Sequence, residues 1–339
     1  PDRERPPCPA TWHATTPHGT SLTAVACAHG WEALRGDPFP WLLRGDRPNL
    51  QWRAAVELVG RPSDSPAVRR AQGAASIAEP VASLIEQLHP DGSWATSVPT
   101  WERYAGPGWR LVAAVQWGAD PSDPRLHAAV ERLLESSRPH GGIAENENTG
   151  PSLPLTARAL HALAELGWCR HPGFLAALAW LEENTSTWEI DPAAGCAVTS
   201  VGVLATLTSC SVLRRAGLAH RVTAVLGDHL GRGGGGGSRR LGFPNLLRTD
   251  LAEVMWVLAR AGVPFDERMK GPLRWLQGSQ IDGGRWRRQH PVPRTLPIAD
   301  AERPRPGQPS RWLTMRAVVA ITAYAVEAGL PRLFPARPG

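Results

Sequence analysis

Apolar residues recur along this chain with the spacing of α-helices. Leu126, Val130, Leu133 and Leu134 stand at positions i, i+4, i+7 and i+8, which lie on one face of a helix with 3.6 residues per turn. Two segments further along the chain carry the same stripe. Runs that alternate apolar and polar residues with β-branched side chains, as strands do, are short. The pattern therefore predicts an all-α protein.

Two kinds of helix alternate in this pattern. The first kind ends in glycine, which is often followed by proline, because glycine accepts the left-handed conformation at a helix end and proline cannot continue a helix. The glycines of this kind are Gly60, Gly118, Gly167, Gly217, Gly262 and Gly329. The first helices are predicted over residues 48–60, 107–118, 152–167, 197–216, 247–262 and 311–328. The second helices are predicted over residues 67–88, 124–137, 172–184, 220–230 and 266–279.

Short turns follow the second helices. Asp-Gly and Gly-Gly supply the positive φ that a tight reversal needs, and a following Trp can cover the ends of the helices. These turns read Asp91-Gly-Ser-Trp94, His140-Gly-Gly-Ile143, Thr185-Ser-Thr-Trp188 and Asp282-Gly-Gly-Arg-Trp286. The glycine run 233–237 stands where another such turn is expected. We interpret Trp94, Trp180, Trp275 and Trp286 as packing residues of these turns and of the second helices.

Helix pairs joined by short loops lie antiparallel and side by side. A repeat of about 50 residues can build either an open solenoid or a ring, and six pairs favour a closed ring. The sequence predicts an (α/α)6 toroid of inner and outer helices over residues 36–335. Residues 1–35, which are rich in Pro, Thr and His, are predicted to form a partly irregular N-terminal extension.

Composition narrows the possible partners. The net charge of +6 could indicate an anionic partner, but the basic residues are scattered arginines, with Lys270 as the only lysine. We therefore expect no nucleic acid among the partners. No apolar run reaches the roughly 18 residues of a membrane span, and no signal peptide is visible. The five cysteines contain no Cys-x-x-Cys pair, which predicts a cytoplasmic protein with free thiols.

The Gly-Trp turns resemble the repeats of the prenyltransferase/squalene oxidase superfamily. That superfamily includes squalene and oxidosqualene cyclases, class II diterpene cyclases and protein prenyltransferase β subunits. The resemblance covers about residues 36–330 and is greatest to bacterial stand-alone repeat proteins. The characteristic sequence motifs of those proteins resemble three segments of this chain: Trp41-Leu-Leu-Arg-Gly-Asp-Arg-Pro48, Leu241-Gly-Phe-Pro244 followed by Asp250, and Ser310-Arg-Trp-Leu-Thr-Met-Arg316.

The resemblance implies that the first helices form the inner ring, with their N-termini around one mouth of a central cavity. The acidic motifs of the best-known members are absent. We find no Asp-x-Asp-Asp, no Asp-Asp-x-x-Asp and no Asp-x-Cys, and Asp120-Pro-Ser-Asp123 lies in a linker away from the expected mouth. No cofactor and no metal are therefore implied.

Four acidic residues near the expected mouth are candidate catalytic residues: Asp250, Glu147, Glu145 and Asp191. Each is an acid near the start of an inner helix, where it could act as an acid or a base. Asp250 could equally be a helix-start carboxylate that complements the dipole, which would lower its pKa. Glu145 and Glu147 could bind a metal or transfer a proton, but the alternative of a solvated loop is favoured for them.

The candidate substrate-binding residues are Trp109, Trp188, Cys196, Phe243, Trp256, Trp312 and Arg316. Aromatic faces that line a cavity could stabilise a carbocation or another cationic ligand. Cys196 could be a thiolate at a helix start or a plain buried residue. Arg316 could hold an anionic group or tie neighbouring inner helices together as an ion pair.

Two hypotheses of function follow. In the first, the chain is a terpene cyclase-like enzyme that binds a small hydrophobic molecule of isoprenoid type in the central cavity. In the second, it is a non-catalytic toroid that binds a lipid-like ligand or a protein partner. A carbohydrate-active toroid is less favoured by the Gly-Trp turns. A cavity of several hundred Å3 lined by aromatic side chains would favour the enzyme, and a centre filled by side chains would oppose it.

Overall fold

The computed structural model describes residues 30–333, apart from 45, 97, 136–140, 147, 190–194, 211, 214, 234–237 and 299–304. In this part of the chain the regular elements are α-helices and short 3-10 turns, and strand pairing is limited to isolated bridges. The predicted all-α fold is therefore confirmed. No helix in this part of the chain combines the length and the apolar character that crossing a membrane requires.

The helices alternate as predicted between an inner and an outer set. The inner helices are α2 (Pro48–Glu57), α5 (Pro107–Gln116), α7 (Leu153–Glu165), α9 (Ala197–Ser209), α11 (Leu251–Arg260) and α13 (Arg311–Tyr324). The outer helices are α3 (Pro66–Gly73), α4 (Val81–Ile85), α6 (Pro124–Glu135), α8 (Pro172–Asn184), α10 (Ala216–Gly231) and α12 (Lys270–Gly278). A short helix, α1 (Phe39–Leu42), precedes them.

Local chemistry explains where these helices begin and end. Proline occupies the first helical position of α2 and α5, where its missing N–H is not needed. The side chain of Ser310 accepts a hydrogen bond from Leu313 N at the start of α13. Five of the predicted end glycines have positive φ: Gly60, Gly118, Gly167, Gly262 and Gly329. These helix ends were therefore predicted correctly to within a few residues.

Two predicted helices differ from the structure. The helix predicted over 67–88 is broken into α3, a 3-10 turn and α4, because Pro80 cannot extend a helix from its preceding turn. The helix predicted over 197–216 ends at Ser209, after a run of Thr and Ser that favours helix formation weakly. Gly217 consequently lies inside α10 and not at the end of an inner helix.

The inner helices contact one another in a closed order. α5 packs on α7, α7 on α9, α9 on α11, α11 on α13, and α13 on α2. The indole N–H of Trp52 in α2 donates to the carbonyl of Gly118 after α5, at 2.8 Å, and joins the last pair. Outer helices α8, α10 and α12 each pack against an inner helix that adjoins them in sequence. This order of contacts is that of an α/α ring.

Helices α7 and α9 approach each other closely at Gly202. A Cβ atom on Gly202 would lie 2.9 Å from the backbone carbon of Ala157, which is closer than real Cβ atoms pack. Residues around this contact, such as Leu160, Val201 and Val203, are fully buried. The absence of a side chain at Gly202 therefore sets the separation of these two inner helices.

The packed part of the chain begins before residue 36. Residues Gly30–Ala33 form a 3-10 turn that packs against α13, and Leu34 is buried. The backbone N–H of Arg35 donates to Gln280 Oε1 at 2.8 Å. The predicted extension therefore contributes at least these residues to the helical core, because apolar side chains of the turn cover the outer end of α13.

A disulfide joins Cys169, in the linker after α7, to Cys210, directly after α9. The Cα atoms of the two residues are 5.9 Å apart. The prediction of free thiols is therefore wrong for this pair, because the ring brings together two cysteines that are 41 residues apart in sequence. Disulfides are rare in reducing compartments, so the cysteines no longer favour the cytoplasm.

Candidate functional site

The segment 241–250, which we call the central segment, runs between inner helices. The side chain of Gln116 in α5 makes two hydrogen bonds to the backbone of Asn245 in this segment. Gln116 Nε2 donates to the carbonyl of Asn245 at 2.6 Å, and Asn245 N donates to Gln116 Oε1 at 2.8 Å. Phe243 stacks on Trp312 of α13, with ring centroids 5.0 Å apart, and meets Trp117 edge-on. The central segment therefore occupies space inside the ring.

Asp250 is the last residue of the central segment and caps α11. Its Oδ1 accepts a hydrogen bond from Glu253 N at 3.0 Å, and its Oδ2 accepts from Gly242 N at 2.8 Å. The side-chain amide of Asn245 adds a third, longer bond at 3.3 Å. Only 2% of Asp250 is exposed. The carboxyl is thus held from three sides in the interior.

The pKa of Asp250 is raised to about 6, mainly by burial and next by the neighbouring negative charge of Glu253. The hydrogen bonds from Glu253 N and Gly242 N and the charge of Arg316 act against this shift without cancelling it. Desolvation therefore outweighs the helix dipole, which by itself would lower this pKa. A carboxyl with this pKa exchanges its proton near neutral pH.

This shift predicts a pH effect on stability. Because the pKa of Asp250 is higher in the folded protein than the ordinary 3.8, its contribution to stability is full below pH 3.8 and is lost as the pH rises through about 6. Between pH 5 and pH 7, the free energy of unfolding measured by urea titration should fall by about 1 kcal/mol more for wild type than for Asp250→Asn.

Histidines whose pKa is lowered by burial, namely His161, His229 and His290, act in the opposite direction over this pH range but are common to both proteins. Asp123→Asn is the matched control, since Asp123 also precedes a helix and is buried but has a lowered pKa. Equal pH profiles for wild type and Asp250→Asn would contradict the raised pKa.

A buried ionic triad lies next to Asp250. Arg158 of α7 meets Glu253 of α11 through two parallel contacts, from NH1 to Oε1 and from NH2 to Oε2, both at 2.8 Å. Arg316 of α13 reaches Glu253 Oε1 at 3.4 Å. Burial alone would raise the pKa of Glu253, but the charges of Arg158 and Arg316 outweigh it and hold the pKa low. The triad ties three inner helices together.

The aromatic faces near the ring centre already hold a cation. The guanidinium carbon of Arg316 lies 4.8 Å from the ring centroid of Phe243 and 4.5 Å from that of Trp256. Such stacking is an attractive cation–π contact. The faces that were predicted to stabilise a carbocation therefore contact Arg316 in this structure, and the ion-pair interpretation of Arg316 is the one observed.

A second group of charges, which we call the central ionic cluster, lies between α2, α7 and α11. It consists of Arg53, Glu57, Glu165 and Arg260. Arg53 NH2 is 2.6 Å from Glu165 Oε2, and Arg260 NH1 is 3.4 Å from Glu165 Oε1. Although burial raises the pKa of Glu165, the two arginines hold it well below its ordinary value. The indole N–H of Trp256 donates to Glu57 Oε2 at 2.7 Å.

A small cavity adjoins the central ionic cluster. Its volume is about 20 Å3, and it is partly open to solvent. Its walls carry charged groups as well as apolar ones: Arg53, Glu57, Val115, Gln116, His161, Glu165, Trp256, Trp312, Met315 and Arg316. A space of this size holds about one water molecule, which is far below the several hundred Å3 typical of ligand pockets. This cavity is therefore much smaller and more polar than the large apolar cavity that the sequence predicts.

Four of the seven predicted substrate-binding residues do not line this cavity: Trp109, Trp188, Cys196 and Phe243. Trp109 is fully buried against Trp101 and Tyr104, and its indole N–H donates to the carbonyl of Trp101 at 3.3 Å. Trp188 lies in a 3-10 turn that packs on outer helices α8 and α10. Both indoles instead fill gaps between elements, so the structure places neither at this cavity. Trp256, Trp312 and Arg316 do line the cavity.

The remaining candidates are not brought to Asp250 by the contacts described above. Glu145 is half-buried on a loop where Asn146 bonds to its own neighbours, which agrees with a loop position. Cys196 caps the start of α9 as a free, half-buried thiol. Glu147 and Asp191 lie outside the described residues. Roles for these residues stay predictions.

Sequence reasoning missed most of the charged residues at the ring centre. A signal was present, because Arg158, His161 and Glu165 follow at i, i+3 and i+7 on an otherwise apolar helix. Arg53 and Glu57 have the i, i+4 spacing of one helix face in α2. Charged groups on one face of an inner helix indicate that this face meets other charges and not lipid-like surface.

Among the described residues, no three His, Cys, Asp or Glu side chains gather as a metal site would require. No protein-family model matches the chain, and no curated protein matches it. Among solved structures, the type II terpene cyclase MstE from Scytonema, in its apo form, is similar to it. The match covers 91% of this chain and 99% of that chain, at 16% identity and a TM-score of 0.40. The fold description of this chain rests on its own helices and contacts.

Proposed function

We propose that this chain is a terpene cyclase-like enzyme in which Asp250 donates a proton to a hydrophobic substrate of isoprenoid type. The observation that carries the proposal is the ionisation of Asp250. It is an interior carboxyl whose pKa is raised to about 6 although it caps a helix. A proton donor is most effective when its pKa is close to the working pH.

The contrast with neighbouring carboxyls supports this role. Glu253 and Glu165 are buried as well, but paired arginines lower the pKa of each. Structural ion pairs lower the pKa of a carboxyl in this way. Among the described carboxyls whose pKa departs from its ordinary value, Asp250 is the one that is raised. Buried groups whose pKa is shifted toward neutral pH are typical of catalytic sites.

The surroundings of Asp250 are compatible with an apolar substrate. Phe243, seven residues before Asp250 and buried, stacks on Trp312 and contacts Trp117. Substrate binding would displace the central segment from the ring centre, because the described residues leave about 20 Å3 there. The proposal therefore includes movement of this segment.

A second candidate function follows from a different observation, the filled centre of the ring. The central ionic cluster and the stacked Arg316 occupy the region where a polyprene would lie. Buried pairs of this kind hold helices in a fixed arrangement. They favour a non-catalytic toroid that binds its ligand or protein partner without chemical change.

Product analysis after incubation with geranylgeranyl diphosphate, squalene and their oxides separates the two candidates. Under the enzyme proposal, wild type forms a product and Asp250→Asn forms it at least about 100-fold more slowly, since general acids contribute at least that factor. Asn keeps the helix cap. Asp123→Asn, directly before outer helix α6, should retain full activity. Absence of product from every polyprene with wild type would favour the non-catalytic toroid.

A further inference from the structure

Two residues in the walls of the cavity beside the central ionic cluster each carry a polar atom with unmet hydrogen-bonding capacity. These are Glu57 Oε1 and His161 Nε2, and both are shielded from solvent without a hydrogen-bond partner. Glu57 Oε1 has only distant cations, Arg53 NH1 at 3.7 Å and Arg260 Nε at 4.0 Å. His161 Nε2 is 3.6 Å from Glu165 Oε1, which is too long for a hydrogen bond.

Other polar atoms of the same cluster are satisfied. Glu57 Oε2 accepts from Trp256, Glu165 Oε1 accepts from Ser209 at 2.6 Å, and Glu165 Oε2 meets Arg53. A buried polar atom without a partner is costly, and native structures retain few of them. Glu57 and His161, which carry these two atoms, both line one cavity that is partly open to solvent. This combination indicates a place for a ligand group.

The charges of the walls restrict the chemistry of that group. Glu57 Oε1 can only accept a hydrogen bond, so an anionic ligand would be repelled there. Arg53 and Arg316 in the walls, with Arg260 behind them, would oppose an added cation. Burial lowers the pKa of His161, so its imidazole is neutral and can donate or accept through Nε2, depending on the tautomer.

A hydroxyl group meets these conditions, because it is neutral and both donates and accepts. We infer that this cavity binds the hydroxyl group of a small neutral alcohol, between Glu57 Oε1 and His161 Nε2. The volume of about 20 Å3 admits the hydroxyl and the carbon that bears it. The carbon chain then lies along Trp312 and Met315, which line the same cavity. The inference is independent of proton donation by Asp250.

The test compares three probes of similar size on the full chain: 1-propanol, propionate and propylammonium. Histidine ring signals are followed by NMR, and His161→Gln identifies the signal of His161. We expect 1-propanol to shift this signal saturably at about millimolar concentration, as its four non-hydrogen atoms allow. Propionate and propylammonium should leave it unchanged at the same concentrations.

Glu57→Gln should weaken the propanol response at least about tenfold, because it replaces a charged acceptor by a neutral amide. Glu131→Gln, at an exposed position on outer helix α6, is the matched control and should bind as wild type does. A response to propionate or propylammonium as strong as to propanol would overturn the inference. So would no saturable response to any probe in wild type, which would mean that the cavity holds water only.

Discussion

Arg158→Met is expected to lower the free energy of unfolding by about 3 kcal/mol or more, as measured by urea titration. Breaking a buried ion pair by removing one partner typically costs that much, because the remaining charge stays in the interior without its counterion. The side chains of Arg158 and Glu253 are 0% and 1% exposed. Among the described residues, Arg316, at 3.4 Å, would then be the cation that still pairs with Glu253.

An exposed ion pair gives the matched control. Arg215 and Glu182 pair at 2.9 Å between α8 and the linker before α10, with side chains 41% and 32% exposed. Arg215→Met should change the unfolding free energy by less than about 1 kcal/mol, because water screens this pair. If Arg158→Met lowered the free energy of unfolding as little as Arg215→Met, Arg316 alone would be enough to compensate the charge of Glu253. The triad would then not hold three inner helices together.

Replacing both Cys169 and Cys210 by serine is expected to destabilise the protein by up to about 4 kcal/mol. The crosslink spans 41 residues, and closing a loop of that length in the unfolded chain removes conformational entropy of this size. The bridge connects the end of α7 to the end of α9, the two inner helices that meet at Gly202. The loss should appear in urea titration without reductant.

Cys196→Ser is the control for this pair, since Cys196 is a free thiol at the start of α9. It should leave the stability of the protein nearly unchanged. Added reductant should reduce the stability of wild type to that of the double variant. Peptide mapping of the unreduced protein should recover the fragments of Cys169 and Cys210 as one linked species. Separate fragments, with equal stability of wild type and the double variant, would show that the bridge does not form.

Several positions of the candidate site could be predicted from the sequence. Asp250 was found because it follows Leu241-Gly-Phe-Pro244 and precedes an apolar helix, and the structure places it at the start of α11. Trp256, Trp312 and Arg316 were placed on the inner face of the ring, where they line the cavity. Trp109 and Trp188 were misplaced, because an indole at a helix start or in a turn can face the centre or a neighbouring element equally well in sequence.

The sequence by itself determined the local elements. Proline at first helical positions, glycine at helix ends and apolar residues spaced at 3.6 act over a few residues, so the all-α fold and most helix bounds can be deduced from them. The inner and outer alternation follows from the same pattern, because short loops place successive helices side by side.

Only the tertiary structure decided what the ring contains. Arg158 meets Glu253 across 95 residues, and Gln116 meets Asn245 across 129. The raised pKa of Asp250 likewise depends on burial by distant elements. Such contacts are fixed by how the ring closes and how deeply each side chain is buried, and neither quantity is encoded in local spacing. For this reason the sequence predicted a large apolar cavity, whereas the cavity described in the structure is small and lined in part by charged groups.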